Sequence, residues 1–495
     1  MTSISIIGSG FSSLSAACYL AKQGYEVDVY EKNNYLGGRA RQLKKDGFTF
    51  DMGPTFYWMP DVFEKFFNDF NKNVEDYYVL DKLNPGYRVY FVDEHYVDVE
   101  DKLDKIKASF EAIEKGSGEK LEGFLHKAKS NYELAIQNLV YQPGEHILEI
   151  INTKTAFKAN LFLKSIRKDI QKVVQHPHLR KILEFPVLFL GAKPSNTPAF
   201  YNFMNYADMV LGTWHPKGGM YKVVEAMVEL GTSLGVRYHI HSEVESLQVD
   251  ADNNIKSLKI NNKQIPTDIV LSSADYVHTE TLLPKAFRQY SEQYWSKKTF
   301  APSALLFYVG FSESIPKVKH HSLFFDTDFE THAEEIYDTK KWPSDPLFYA
   351  SFPSKTDATI HPEGTEMGIF LIPLATGLED TEALRTLYFN KICKRLETIT
   401  KTDIQSTILF KESFCVNDFK KDYNSYKGNA YGLANTLFQT HILRPKLKSK
   451  TIHNLYFTGQ LTVPGPGVPP AIISGNIVSN LIHKYHPTTK KDIRI

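Results

Sequence analysis

Cysteine is scarce. Cys18, Cys393 and Cys415 are the only three in 495 residues, and none forms a Cys-x-x-Cys pair. That excludes a disulfide framework and a dithiol redox motif, and it points to a reducing compartment. Long apolar runs are also missing. The longest, Phe185–Leu190 and Ala304–Phe311, have the length of core elements, far short of the roughly eighteen residues a bilayer span needs. Net charge is almost absent: 58 Lys and Arg face 57 Asp and Glu, leaving +1. No global field draws the chain to nucleic acid. There is no low-complexity linker and no internal repeat. No leader pattern precedes the first strand pattern, which starts at Ser3, so no secretory signal is expected. Metal-ligand spacing is limited to His176-x-His178 and His239-x-His241. Neither has a third ligand in reach, and both read as ordinary histidines. No nucleophile elbow is present, so a Ser-His-Asp hydrolase is not expected.

Apolar residues and aromatics are plentiful, with 33 Phe and 28 Tyr. They suit a large core or a long apolar cavity. Ser3–Ile7 reads as a buried strand, Gly8-Ser9-Gly10-Phe11-Ser12-Ser13 as a turn, and 12–23 as a helix stopped by Gly24. Cys18 falls inside that helix as a buried residue. A second strand, Glu26–Tyr30, ends at Glu31. This is the order of a βαβ dinucleotide fold. Gly8 permits the tight turn and Gly10 lets backbone approach a pyrophosphate. The helix N-terminus, at Ser12, offers free N–H groups to that anion. Glu31, with Lys32 beside it, stands where an acid hydrogen-bonds ribose hydroxyls. Ser13 replaces the third glycine of the fingerprint, which is expected to loosen the packing of helix on strand. A second glycine element, Leu36-Gly37-Gly38-Arg39, follows directly, then Gly47-Phe48-Thr49-Phe50-Asp51-Met52-Gly53-Pro54-Thr55.

Two further stretches continue the same pattern. Trp214-His215-Pro216-Lys217-Gly218-Gly219-Met220 leads into an amphipathic helix, followed by strand patterns at 235–241, 243–245 and 265–274. Near the C-terminus, a strand at 454–460 precedes Val463-Pro464-Gly465-Pro466-Gly467-Val468-Pro469-Pro470 and a helix expected from Ala471 to Lys484. A helix starting there aims its positive end at whatever lies before it. The predicted domains are therefore discontinuous: 1–75, 212–284 and 441–495 form one, and 76–211 with 285–440 the other. The first part of the second domain reads as largely helical. The other part mixes strands (304–310, 367–373) with a helix near 381–396.

The glycine elements resemble those of a flavoprotein superfamily that includes amine oxidases, protoporphyrinogen oxidases and carotenoid desaturases. The C-terminal residues narrow the resemblance. Gly428-Asn429-Ala430-Tyr431-Gly432-Leu433, Leu443-Arg444-Pro445, Tyr456-Phe457-Thr458-Gly459, Pro464 to Pro469 and Ser474-Gly475 look like the bacterial-type carotenoid (phytoene) desaturase family. That family includes hydroxycarotenoid 3,4-desaturases. The 214–220 stretch is similar to its middle motif. Two positions depart: Val463 stands where histidine is frequent, and Ala434-Asn435 where an acid-proline pair is frequent. No role is carried over to either.

The resemblance implies an α/β fold: a Rossmann-like FAD-binding domain with an inserted α+β substrate domain. It implies FAD as cofactor, with Gly8, Gly10, Ser12, Ser13, Glu31, Lys32, Gly38, Arg39, Thr55, Val244, Gly459, Gly467 and Val468 near it. It implies removal of two hydrogens from a carotenoid, an apolar tunnel, and loading from a membrane surface, with oxygen or a quinone as final acceptor. No protein side chain accepts a hydride, so a cofactor must carry that step. The expected location is cytoplasmic and peripheral to the membrane. A basic amphipathic helix, 154–174, is the predicted contact, with Lys164, Arg167 and Lys168 on its polar face. No catalytic acid or base is assigned; Glu145, His146 and Glu149 read as surface residues. The leaning is to a 1-hydroxycarotenoid 3,4-desaturase, with phytoene desaturase as the alternative. An amine oxidase, a carotenoid isomerase and a non-enzymatic prenyl-binding escort protein share the architecture.

Overall fold

The computed structural model describes residues 1–488 apart from 93–94, 147–148, 150–160, 163, 189–190 and 437. A five-stranded parallel sheet organises one part of it. Its order is Leu455–Phe457, Ile269–Ser272, Ser3–Ile7, Glu26–Tyr30, Arg237–His239. Strands far apart in sequence are thus hydrogen-bonded neighbours, with Ile4 opposite Ile269 and Val270 opposite Leu455. The first strand is central, and its Ile4 and Ile6 are buried. Near-continuous apolar strands of this kind belong to parallel sheets covered on both faces. Three helices, Phe11–Lys22, Tyr221–Ser233 and Val468–Tyr485, pack together over this sheet. The close approach of the first to the last depends on Gly475. A Cβ there would lie 2.6 Å from both the Ser12 carbonyl oxygen and the Ser15 Cβ. A smaller antiparallel sheet, Val244–Val249, Ile255–Ile260 and Lys263–Pro266, completes this part.

Two predicted elements differ. The strand pattern at 265–274 is two strands, Lys263–Pro266 in the small sheet and Ile269–Ser272 in the parallel one. Pro266 and the Asp268 carboxylate, which accepts from Ser3 N and Oγ, mark the change of sheet. The last helix begins at Val468 rather than Ala471. Pro469 and Pro470 sit in its first turn, where no N–H partner is missed.

The other part is built on a seven-stranded sheet. Its order is Ile408–Phe414, Ser303–Phe311, Glu366–Leu374, Phe348–Ser351, His321–Phe324, Tyr87–Tyr90, Tyr96–Val99. All pairs are antiparallel except His321–Phe324 with Tyr87–Tyr90. The 76–211 stretch is therefore not purely helical; two of its strands extend a sheet made mostly by residues beyond 300. Its helices include Ser117–Leu134 and Pro177–Leu188, the second of which packs Phe185 on Tyr87 of that sheet.

Candidate active site

Asp51 explains why two motifs meet. Its carboxylate accepts from Met220 N at 2.6 Å and Tyr221 N at 3.3 Å, capping the helix Tyr221–Ser233. Gly219 makes room, since a Cβ there would come within 2.5 Å of Asp51 Oδ2. Burial raises the Asp51 pKa to about 6 even against these donors.

One cavity runs along the ends of the parallel strands. Gly8, Ser9, Gly10 and Ser12 line it, with Glu31, Lys32, Gly38, Arg39, Thr55, Val244, Gly459, Gly467 and Val468. Twelve of the thirteen predicted cofactor residues therefore line one cavity. The exception is Ser13. It is fully buried, and its hydroxyl hydrogen-bonds Ser273 Oγ at the end of the neighbouring parallel strand. The serine in the third fingerprint position thus ties helix to sheet, where loosening was expected.

The two glycine turns pack backbone to backbone: a Cβ on Gly38 would sit 3.3 Å from the Gly10 Cα. Gly10 itself has φ −70°, and a Cβ there would meet nothing within 4 Å, so only the empty space beside it demands glycine. Both helices that begin at the cavity, after Gly10 and after Gly467, have no side-chain cap. The Phe11 helix leaves its first N–H groups for a ligand, and the Val468 helix, whose Pro469 and Pro470 have none, leaves the Val468 N–H and its positive dipole end. Arg39 forms no ion pair with a carboxylate among the described residues. It donates to Ser425 Oγ and the Asn429 carbonyl at 3.3 Å each, stacks on Tyr423, and its Nε has no partner. Burial lowers its pKa, so an anion in the cavity would be its natural complement.

Glu31 accepts from Ser9 N and Oγ and from Asn33 N and Nδ2, at 2.7 to 3.1 Å. It holds the glycine turn and faces the cavity at once. Lys32 donates to the Lys421 carbonyl at 2.8 Å. Arg444 from the Leu-Arg-Pro motif is buried behind the wall. It donates to the carbonyls of Leu433, Gln460 and Thr462 and to Asn435 Oδ1. Asn435, one of the departures, thus braces the loop that carries Gly465, whose Cβ would clash with it. These features accommodate an adenine dinucleotide: open space at glycine backbone, two free helix ends and an arginine with no carboxylate in ion-pair contact.

Away from these residues the wall turns apolar, with Phe56, Trp58, Phe185, Phe325, Phe329 and Leu371 among its members. Sequence reasoning assigns none of them to a cavity, and takes Phe185 for core, because a phenylalanine facing a cavity has the same neighbours in sequence as one facing the core. Glu149 accepts from Gly144, Glu145 and His146 N and lies off the cavity, as do the other two residues set aside as bases. His239 pairs with Asp28 and His178 stacks on Phe91. No group of residues able to hold a metal occurs among those described. All three cysteines are buried and free.

The predicted membrane helix lies partly outside the described residues. Within them it is not one helix: Leu161 and Phe162 are helical, Ser165 is extended and bridged to Pro198, and a separate short helix runs Ile166–Ile170. Arg167 is bound by Glu184 and Glu330, which removes it from the free basic face. No helix among the described residues is long and apolar enough to cross a membrane.

Comparison with known proteins agrees with this geometry. The flavin containing amine oxidoreductase family matches residues 11–483. Over 476 residues the chain is 40% identical to the carotenoid 3,4-desaturase of Haloarcula japonica, covering 95% of this chain and 96% of that one. It is 33% identical over 490 residues to the 4,4'-diapophytoene desaturase (4,4'-diaponeurosporene-forming) of Staphylococcus aureus, covering 96% and 97%. The crystal structure of an oxidoreductase from Methanosarcina mazei matches in fold, with a TM-score of 0.61 at 15% identity over 97% of this chain and all of that one. The protein is an FAD-dependent oxidoreductase. It belongs to the flavin-containing amine oxidoreductase family and, within it, to the carotenoid desaturases.

Proposed function

We propose that this enzyme introduces a C=C bond into a carotenoid, with the 3,4 bond of a 1-hydroxylated carotenoid as its preferred site. The observation that carries the reading is the cavity. One end has the cradle of a dinucleotide, and the remainder is an aromatic and aliphatic wall suited to a long hydrocarbon. The likeness to the Haloarcula desaturase supports the 3,4 position. The likeness to the staphylococcal enzyme favours, as second reading, a phytoene-type substrate.

When bound, FAD accepts a hydride equivalent at N5. The chain holds the polyene in register against that atom and excludes water. Positive character left on the substrate spreads along its double bonds, and a proton leaves to a base or water. In this reading Gly8, Gly10 and the Ser12 helix end hold the pyrophosphate, with Ser13 supporting the helix from behind. Glu31 would hold the ribose hydroxyls while it keeps the Ser9 and Asn33 backbone donors. Lys32 and Val244 lie at the adenosine end. Gly38, Arg39, Thr55, Gly459, Gly467 and Val468 would hold the flavin part of the cofactor. The division into 1–75, 212–284 and 441–495 against 76–211 and 285–440 follows the two sheets. Oxygen or a quinone completes the cycle.

The enzyme works at the cytoplasmic surface of a membrane in this reading. Lys164, Lys168 and Lys172 are exposed near 165–174 and remain available to anionic lipid. Charge reversal at Lys164 and Lys168 is expected to weaken liposome binding; unchanged binding would remove the membrane part.

The test of function is product analysis. The protein, with FAD and liposomes, is given phytoene, lycopene and 1-hydroxylycopene separately. One added double bond in the hydroxylated substrate alone is expected. Stepwise conversion of phytoene would favour the second reading, and no change in any polyene would reject both.

A further inference from the structure

A small polar cluster interrupts the apolar wall. Tyr349, on the strand Phe348–Ser351, lines the cavity beside Thr55. Its hydroxyl lies 2.7 Å from Thr55 Oγ1 and 2.7 Å from His321 Nδ1. His321 is fully buried and stacks on Phe56, with centroids 4.0 Å apart, and its Nε2 has no hydrogen-bond partner. Ser351, two residues along the same strand, has a buried hydroxyl that interacts with the Tyr349 side chain. The cluster belongs to the cofactor end of the cavity. Thr55 follows Gly53, whose backbone is so close to Arg39 that a Cβ would come within 2.0 Å of the Arg39 carbonyl oxygen.

Proton counting then fixes what the cluster shows to a ligand. Burial, with His215 nearby, holds the His321 pKa well below the ordinary histidine range, so the ring is neutral. A neutral imidazole has one N–H. On Nε2 it would be a buried donor with no acceptor, a rarer defect than a bare acceptor. It therefore sits on Nδ1 and donates to Tyr349. The Tyr349 and Thr55 hydroxyls have two hydrogens between them, and their mutual bond uses one. Whichever of them donates, the other O–H is left over. Counting Ser351 in does not absorb it, because that residue brings a hydrogen along with its oxygen. A surplus donor in an apolar wall favours a ligand that brings an oxygen to that point.

We propose that Tyr349 and Thr55 form a subsite for a hydroxyl group of the carotenoid, and that this subsite selects hydroxylated over hydrocarbon substrates. The inference rests on the hydroxycarotenoid reading above and gives it residues. Substrate geometry agrees with the location. In a 1-hydroxylated end group the oxygen is three single bonds from C3. The group that reads it must stand beside the reacting bond, and so at the cofactor end of the cavity.

The test uses the full chain loaded with FAD. Thr55→Val/Tyr349→Phe removes both hydroxyls with little change of shape, and Tyr349→Phe alone is the milder change. Two ratios are measured for 1-hydroxylycopene against lycopene: equilibrium binding without turnover, followed by tryptophan quenching, and competitive turnover normalised to FAD content. Wild type is expected to prefer the hydroxylated polyene by about 10-fold or more in both, because a site built for a hydroxyl rejects the analogue lacking it. The single variant is expected to lower both ratios several-fold and the double variant to bring them near one. A wild-type preference that survives in both variants would overturn the subsite and leave the substrate assignment standing. No preference in wild type would overturn the substrate assignment and the subsite together.

Discussion

The two ends of the cavity differ in what makes their walls. At the cofactor end the wall is built on glycine turns, helix N-termini and one arginine with no carboxylate in ion-pair contact. At the substrate end it is side chains from a seven-stranded sheet and the helices beside it. Backbone walls tolerate few residue types, because a Cβ either clashes or blocks the ligand. Side-chain walls tolerate many, because one apolar group of similar size replaces another at modest cost. The difference teaches where this protein is fixed by shape and where it is free to change substrate.

The comparison breaks first, and hardest, at glycines with different duties. Gly53→Ala places a Cβ 2.0 Å from the Arg39 carbonyl oxygen, and Gly475→Val forces two helices apart. Each is expected to destabilise by ~3 kcal/mol or more, read as a fall in Tm or loss of soluble protein. Gly10→Val is the contrasting case. Its φ of −70° suits any residue and the added side chain meets only open cavity. The apoprotein is expected to keep its Tm within a few degrees while purifying without FAD. A Gly10→Val protein with full flavin content would refute the placing of the pyrophosphate.

Arg39→Gln is expected to act next in size. Losing a charge-assisted contact to an anion costs about 1.5–3 kcal/mol, or roughly 10- to 100-fold in FAD affinity by titration. Leu371→Gln tests the other wall. It should leave FAD binding intact and weaken polyene binding several-fold; a loss of flavin there would deny that the two ends are separate.

The smallest effect concerns pH. Asp208, hydrogen-bonded by Tyr87, has its pKa raised to about 7 by burial. The folded state then holds a proton that the unfolded state has lost above about pH 4. Its contribution therefore falls as pH rises from about 4 to 7 and is flat beyond. Asp208→Asn is expected to gain stability relative to wild type across that window, so the Tm difference should be larger at pH 8 than at pH 5. A constant difference would show that Asp208 does not change its charge there.

The sequence made the backbone end readable because each of its devices needs a particular residue at a particular spacing. The strand Ser3–Ile7, the helix Phe11–Lys22, the strand Glu26–Tyr30 and the cavity-lining glycines all stand close to where the pattern placed them. Ser13 was misread because its partner, Ser273, is distant in sequence. Arg167 does not stand on a free basic face because the acids that bind it, Glu184 and Glu330, lie outside the window in which the 154–174 charge pattern is read. The apolar wall and the Thr55–Tyr349–His321 cluster are made by long-range strand pairing, which leaves no local period to detect.

The central claim is that one cavity brings a carotenoid against a flavin for hydride removal. The most direct measurement mixes the FAD-loaded protein with 1-hydroxylycopene in the absence of oxygen and any other acceptor. Oxidised flavin absorbance and polyene spectrum are followed together. Loss of the flavin band in step with one new conjugated double bond per flavin is predicted. A flavin band that stays unchanged while the polyene is altered, or a polyene that stays unchanged with FAD bound, would contradict the account.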